Sequence, residues 1–141
     1  MLKGINWIAV AIAVVLLEGL GYVWYGMWFL KPWAEAMRAA GMPPNNSDVA
    51  TMMSIGVVNT LVLAVGLAWL TARLGATSLV ASIGVSLAAW LFFDLTTQSL
   101  DYLYMGMPLT VMEINVGYQV VSYILTGAIL GGLKFGRPKT A

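Results

Sequence analysis

The stretch VVLLEGLGYVWYGMWF, residues 14–29, places one acidic residue, Glu18, inside an apolar run that ends among aromatic rings. The run extends from about Ile5 to Leu30. It is long enough to span a membrane, because an α-helix needs about 20 apolar residues to cross the hydrocarbon core of a bilayer. A lysine precedes the run, as in a signal peptide, but no small-residue cleavage site leads into a polar chain. The stretch therefore predicts a retained first transmembrane span.

The composition of the whole chain indicates the same environment. Of its 141 residues, 60% are hydrophobic and 9% are charged, whereas soluble domains carry about 25% charged residues. The net charge of +1 gives no reason to expect nucleic acid as a partner. Cysteine and histidine are both absent, which excludes thiolate and imidazole chemistry, and no phosphate-binding or nucleophile motif is present. We therefore expect a membrane protein that is not an enzyme and has no cofactor or metal site.

Four apolar stretches are long enough to cross a bilayer. The predicted spans cover about residues 5–30, 48–73, 77–104 and 111–132. Pro32 follows the first span, and the apolar spacing of residues 32–40 predicts a short helix that lies along the membrane surface. The sequence thus predicts an all-α fold with one membrane domain, residues 1–141, made of a four-helix transmembrane bundle, the short interfacial helix and a basic tail at 133–141.

Positively charged residues predict the orientation of the spans. With four spans, both termini and the loop near Arg73 lie on one side of the membrane. That side carries Lys3, Arg73, Lys134, Arg137 and Lys139, and the opposite side carries Lys31 and Arg38. Because loops rich in lysine and arginine stay in the cytoplasm, we expect cytoplasmic N- and C-termini.

Each predicted span contributes polar residues near the middle of the bilayer. At 1.5 Å per residue, Glu18, Asn59, Asp94, Gln119 and Ser122 lie roughly 12–18 Å from one end of their helices, close to the midplane of a core about 30 Å thick. Spacings of three and four residues place Asp94 on one stripe with Ser82, Ser86, Gln98 and Asp101, and Gln119 and Ser122 on another with Asn115 and Thr126. Since lipid tails cannot form hydrogen bonds, both stripes are expected to face the interior of the bundle.

The two acids at this depth, Glu18 and Asp94, need a specific environment. A charge at the bilayer centre costs about 2.5–3.5 kcal/mol on insertion scales, and no lysine or arginine lies at their depth. A protonated carboxyl, a bound cation or a water-filled cavity would each remove that cost. Two interpretations remain open: the polar candidates, Gln98 included, form a proton or cation site, or neutral acids hold the helices together through hydrogen bonds.

Two further patterns concern helix packing and the membrane boundary. The segment GAILG has the Gly-x-x-x-Gly spacing that allows helices to approach closely, within one chain or between chains. With a looser version in the third span, the predicted packing residues are Gly84, Ala88, Gly127 and Gly131. The aromatic residues near one end of the spans predict an interfacial aromatic belt, with a ring-lined binding site as the alternative: Trp24, Tyr25, Trp28, Trp33, Tyr102 and Tyr104.

Three segments of the chain resemble a bacterial family known as domain of unknown function 1761. They are INWIAVAIAVV at 5–15, GYVWYGMWFLKPW at 21–33 and INVGYQVVSYILTGAILGG at 114–132. The resemblance covers nearly the whole chain and implies a four-span protein of the bacterial inner membrane. It brings no established activity with it.

Two functions are therefore expected as alternatives. The first is a small membrane protein that works as a homo-oligomer or as an accessory subunit of a larger integral membrane assembly. The second is a proton- or cation-linked transporter or channel that uses Glu18 and Asp94. The lipid bilayer is the expected environment in both cases.

Overall fold

A computed structural model of the protein describes residues 4–42 and 48–134, and all regular secondary structure in these ranges is helical. Four helices are long and apolar enough to cross a bilayer, which confirms the predicted all-α, four-span fold. They are span one, Trp7–Trp28; span two, Val49–Arg73; span three, Leu79–Met105; and span four, Leu109–Gly132. The short helix that follows span one is Leu30–Ala39. The basic tail is described only to Lys134, so Arg137 and Lys139 lie outside the described residues, as does Lys3.

The ends of the spans are set by local sequence. The Asp48 carboxylate caps span two by accepting a hydrogen bond from the Thr51 backbone nitrogen at 3.0 Å. Gly106 has a φ of 67° and ends span three in the left-handed conformation that favours glycine. Pro108 is extended and precedes span four, which begins at Leu109, two residues before its predicted start.

The spans run up and down, and all four pack together at the end that contains Arg73. Small residues of span one, Ala9 and Ala13, are fully buried against Ala64 and Ala68 of span two. The Asn6 amide donates a hydrogen bond to the Leu133 carbonyl oxygen at 3.1 Å, which joins the start of span one to the end of span four. We call this the Arg73 end, and the opposite end the Trp28 end.

The closest helix contact lies between spans three and four. A Cβ placed on Gly131 would lie 2.6 Å from the Ser78 carbonyl oxygen, and one placed on Gly127 would lie 2.8 Å from the Ser86 Oγ. The Gly127–Gly131 pair therefore provides an intramolecular contact that only glycine permits. The other predicted packing residues, Gly84 and Ala88, are exposed, and nothing within the described residues lies within 4 Å of a Cβ on Gly84.

Span two separates from the bundle toward the Trp28 end. Of residues 49–62, only Gly56 and Thr60 are half-buried, and the others are exposed. In the second half of the same helix, Ala64, Leu67 and Ala68 are buried. The bundle is thus closed at the Arg73 end and open along one side in its other half.

Spans one and three each contain a five-residue π-helix, Trp24–Trp28 and Trp90–Asp94. Each begins with a tryptophan whose indole Nε1 donates a hydrogen bond to span four. Trp24 donates to the Ile114 carbonyl oxygen at 3.1 Å, and Trp90 donates to the Gln119 Oε1 at 3.2 Å. Such wide turns are rare inside α-helices and are frequent at functional sites.

Candidate functional site

A cleft of about 510 Å³ lies where span two separates from the bundle. All four spans contribute to its lining, which consists of Leu17, Asn59, Thr60, Val62, Leu63, Asp94, Tyr118, Gln119, Ser122 and Tyr123. The volume is in the range of small-molecule sites, about 300–1,000 Å³. Its mixture of aliphatic, aromatic and hydrogen-bonding side chains is also typical of such sites.

The polar lining residues share one depth. Asn59 is ten residues from the Trp28 end of span two, Gln119 is ten from that end of span four, and Asp94 is eleven from that end of span three. At 1.5 Å per residue these distances are about 15–17 Å, half of a core about 30 Å thick. The cleft therefore lies at the centre of the membrane-crossing region.

Several polar groups in the cleft have hydrogen-bonding capacity left over. Asn59 is exposed and Thr60 is half-buried, and neither side chain forms a hydrogen bond with any described residue. The Gln119 Oε1 accepts the Trp90 indole, which leaves the amide nitrogen of Gln119 available. Lipid cannot satisfy such groups, so water or a ligand must.

Asp94 is the only carboxylic acid that lines the cleft. It is half-buried, and its carboxyl interacts electrostatically with the Tyr123 hydroxyl. Neither lysine nor arginine is among the lining residues. The cleft thus has one site for negative charge and no basic side chain to balance it.

The π-helix in span three turns Asp94 toward the cleft. A regular helix rotates about 100° per residue, so the twelve residues from Ser82 to Asp94 would leave the two side chains about 120° apart. A π turn holds one residue more than an α turn. The extra residue reduces the angle between the Ser82 and Asp94 side chains by about 100°, to about 20°. Ser82 is fully buried against span four, so the wide turn directs Asp94 to nearly the same side of span three.

Two of the six predicted polar site residues are not among the cleft-lining residues. Glu18 is half-buried beside Leu17, and its carboxyl interacts electrostatically with Tyr118. Gln98 lies one turn beyond Asp94, and its buried Oε1 has no hydrogen-bond partner among the described residues. The other four, Asn59, Asp94, Gln119 and Ser122, lie together as lining residues.

The predicted aromatic belt divides into inward and outward groups. Trp28 and Tyr104 are 64% and 81% exposed, as expected for a belt, and Trp33 is half-buried. Trp24, Tyr25 and Tyr102 instead point to span four, a direction that the belt prediction did not specify. The physical reason is hydrogen bonding: the Tyr25 hydroxyl donates to the Asn115 Oδ1 at 2.8 Å, and the Asn115 amide donates to the Tyr102 hydroxyl.

Four of the residues at this site were not predicted from the sequence. Tyr118 and Tyr123 flank the predicted stripe of span four, and Thr60 follows Asn59. Trp90, which holds Gln119, precedes Asp94 by four residues on the same helix. The four-residue spacing from Asp94, on the same helix, is the signal that indicates Trp90. Tyr118 and Tyr123 carry no such signal, because a tyrosine in a membrane span is more often a boundary residue.

Comparison with known proteins identifies the family of the chain. No curated protein and no solved structure matches it. A family model described as "Protein of unknown function (DUF1761)" matches residues 8–131, which include all four spans apart from a single residue at each end of the match. The chain belongs to the DUF1761 family of proteins of unknown function.

Proposed function

We propose that this protein is a multi-pass protein of the bacterial cytoplasmic membrane and works as a subunit of an oligomeric assembly. Its sequence supports cytoplasmic termini, because the segments on the side of the termini carry five basic residues and those on the other side carry only Lys31 and Arg38. In the assembly, a helix of another subunit packs beside the free half of span two.

The exposure of Asn59 carries this proposal. Asn59 lies near the bilayer centre on the part of span two that leaves the bundle, and its amide has no partner among the described residues. In hydrocarbon, an amide without hydrogen bonds costs several kcal/mol. A polar contact between membrane helices recovers about 1–2 kcal/mol in model peptides, so a second subunit is the natural partner.

Cross-linking tests the assembly directly, because the chain contains no cysteine and single cysteines can be introduced without background. We expect Val58→Cys, 58% exposed on span two, to form disulfide-linked dimers in mild detergent. Phe93→Cys on span three, 72% exposed, is the matched control and should remain monomeric. Adding Asn59→Leu to Val58→Cys should reduce the dimer about five- to thirtyfold, as expected for the loss of about 1–2 kcal/mol.

Equal cross-linking at both positions, or no effect of Asn59→Leu, would contradict the homo-oligomer. If Val58→Cys instead cross-links to another integral membrane protein in native membranes, the accessory-subunit form of the proposal is supported.

A second candidate function is proton- or cation-linked transport, and the position of Asp94 favours it. The acid lies at mid-membrane depth in a cleft to which all four spans contribute. Because Glu18 does not line the cleft, Asp94 alone would bind the transported proton or cation.

Flux measurements separate transport from assembly. We expect liposomes containing the full-length protein to show ion flux driven by a pH gradient, and Asp94→Asn to abolish it. Asp101→Asn, on the exposed surface of the same helix, should leave flux unchanged. Absence of flux through the unmodified protein would exclude this candidate and leave the oligomeric subunit.

A further inference from the structure

We infer that the mid-membrane cleft binds a hydrophobic organic cation, an ammonium group carried on an apolar body, that enters from the bilayer. The site shares its residues with the transport candidate, but it concerns equilibrium binding and requires neither flux nor a particular oligomer. Charge, hydrogen bonding, ring chemistry and access each support it.

The charged side chains that line the cleft determine the sign of the charge that a ligand carries. Asp94 is the only carboxyl among the lining residues, and no lysine or arginine accompanies it. An anionic ligand would bring a second negative charge to a site of low dielectric constant. A cation instead forms the ion pair that an acid at this depth otherwise lacks.

The neutral polar groups favour a ligand that also carries hydrogen-bonding capacity or local water. Asn59 and Thr60 line the cleft from span two, and Gln119, whose amide nitrogen is left available, lines it from span four. A purely apolar molecule would leave all three without partners, at a cost for each. These groups therefore discriminate against hydrocarbon and lipid tails, which surround the protein in large excess.

Ring and aliphatic side chains suit the rest of an organic cation. Tyr118 and Tyr123 present aromatic rings, and an ammonium within about 6 Å of a ring centroid is attracted to the ring face. Leu17, Val62 and Leu63 provide an apolar surface on the same cleft. A hydrated inorganic ion would gain nothing from these five side chains, so their presence favours an organic ligand.

The open side of the cleft gives the route of entry. Val62 lines the cleft and is 65% exposed, and it lies in the middle of span two. The opening is therefore at the depth of the acyl chains. A ligand that uses it must first partition into the bilayer, which is why its body must be apolar.

Binding of benzyltrimethylammonium tests the inference, because replacing its nitrogen by carbon gives the neutral isostere neopentylbenzene. The full-length protein is placed in nanodiscs of zwitterionic phosphatidylcholine, and binding is followed by calorimetry and by intrinsic tryptophan fluorescence, to which Trp90, whose indole contacts Gln119, contributes. We expect saturable binding of the cation that is at least about tenfold tighter than binding of the isostere, as expected for the contribution of one ion pair in a desolvated site.

Variants then locate the site. Asp94→Asn should reduce affinity for the cation to that for the isostere, whereas Asp101→Asn, exposed on the same helix, should not change it. Thr60→Val preserves side-chain shape and should weaken binding of the cation a few-fold. Circular dichroism reports whether each variant is folded, and the comparison of the two ligands on the unmodified protein needs no variant.

Three outcomes would overturn the inference: equal binding of cation and isostere, no saturable binding of the cation, or full binding by folded Asp94→Asn. Saturable cation binding without flux would remove the transport candidate and leave the binding site. Failure of Val58→Cys to cross-link would bear on assembly alone.

Discussion

Replacing both Gly127 and Gly131 by alanine is expected to destabilise the bundle by about 3 kcal/mol or more. The new Cβ atoms would lie 2.8 Å from the Ile83 Cα and 2.6 Å from the Ser78 carbonyl oxygen, both backbone atoms that cannot move without displacing span three. Because spans three and four form the closest contact in the bundle, their separation should also expose Ser82 and Ser86. Unfolding of the detergent-solubilised protein, followed by circular dichroism, measures the change.

The matched control for this prediction is Gly84→Ala in span three, the helix that Gly127 and Gly131 of span four contact. A Cβ at Gly84 meets nothing within 4 Å, so alanine should be neutral or stabilise the helix by up to about 1 kcal/mol. If Gly84→Ala and the double variant unfold alike, the close contact of spans three and four is not as described. Loss of oligomers without loss of stability in the double variant would assign these glycines to contacts between subunits instead.

Replacing Asn115 by leucine is expected to cost about 2–3 kcal/mol of stability, because it removes two hydrogen bonds that join three spans. Asn115 accepts from the Tyr25 hydroxyl of span one at 2.8 Å and donates to the Tyr102 hydroxyl of span three. Tyr102 is 8% exposed, so its hydroxyl would be left with only a long contact of 3.4 Å to the Val111 carbonyl oxygen.

Tyrosine variants provide the controls for the Asn115 prediction. Tyr25→Phe should lower stability by about 1 kcal/mol, whereas Tyr22→Phe, 71% exposed on the same helix, should have no effect. In a double-mutant cycle, Tyr25→Phe should add little to Asn115→Leu, because both remove the same bond. Full additivity of the two changes would contradict a direct contact.

The fold could be predicted from the sequence because the bilayer imposes a minimum length on every helix that crosses it. Apolar runs bounded by charged residues, proline or glycine indicated four spans, and the structure contains four such helices. The Gly-x-x-x-Gly spacing also indicated close packing, and Gly127 and Gly131 meet span three. The spacing could not distinguish them from Gly84 and Ala88, since the same pattern occurs on packed and exposed faces.

The site could be predicted only in part, because the sequence indicates the depth of a side chain in the membrane more readily than the direction in which it points. Depth alone brought Asn59, Asp94, Gln119 and Ser122 into one layer, and all four line the cleft. Glu18 lies at the same depth and interacts with Tyr118, but its side chain does not line the cleft, unlike that of its neighbour Leu17. Its direction depends on how span one is rotated against span four, and no short-range spacing encodes that rotation.

The direction of three aromatic side chains could not be predicted from the sequence either. Composition placed Trp24, Tyr25 and Tyr102 near a membrane boundary, where tyrosine and tryptophan are frequent. What turns them inward is a hydrogen-bonding partner on another helix, the Ile114 carbonyl oxygen for Trp24 and the Asn115 side chain, which accepts from Tyr25 and donates to Tyr102, for the two tyrosines. Such partners are distant in sequence, so they become visible only when the helices are packed together.

The wide turn at Trp90–Asp94 has a consequence for the comparison of related chains. A relative with an unbroken α-helix at this place would have to carry its acid one position earlier to present it in the same direction. Correct alignment of the two would then need a single-residue gap inside a hydrophobic segment, where gaps are normally forbidden. Acids in adjacent alignment columns would be equivalent in space, although a column-by-column comparison would score the acid as lost.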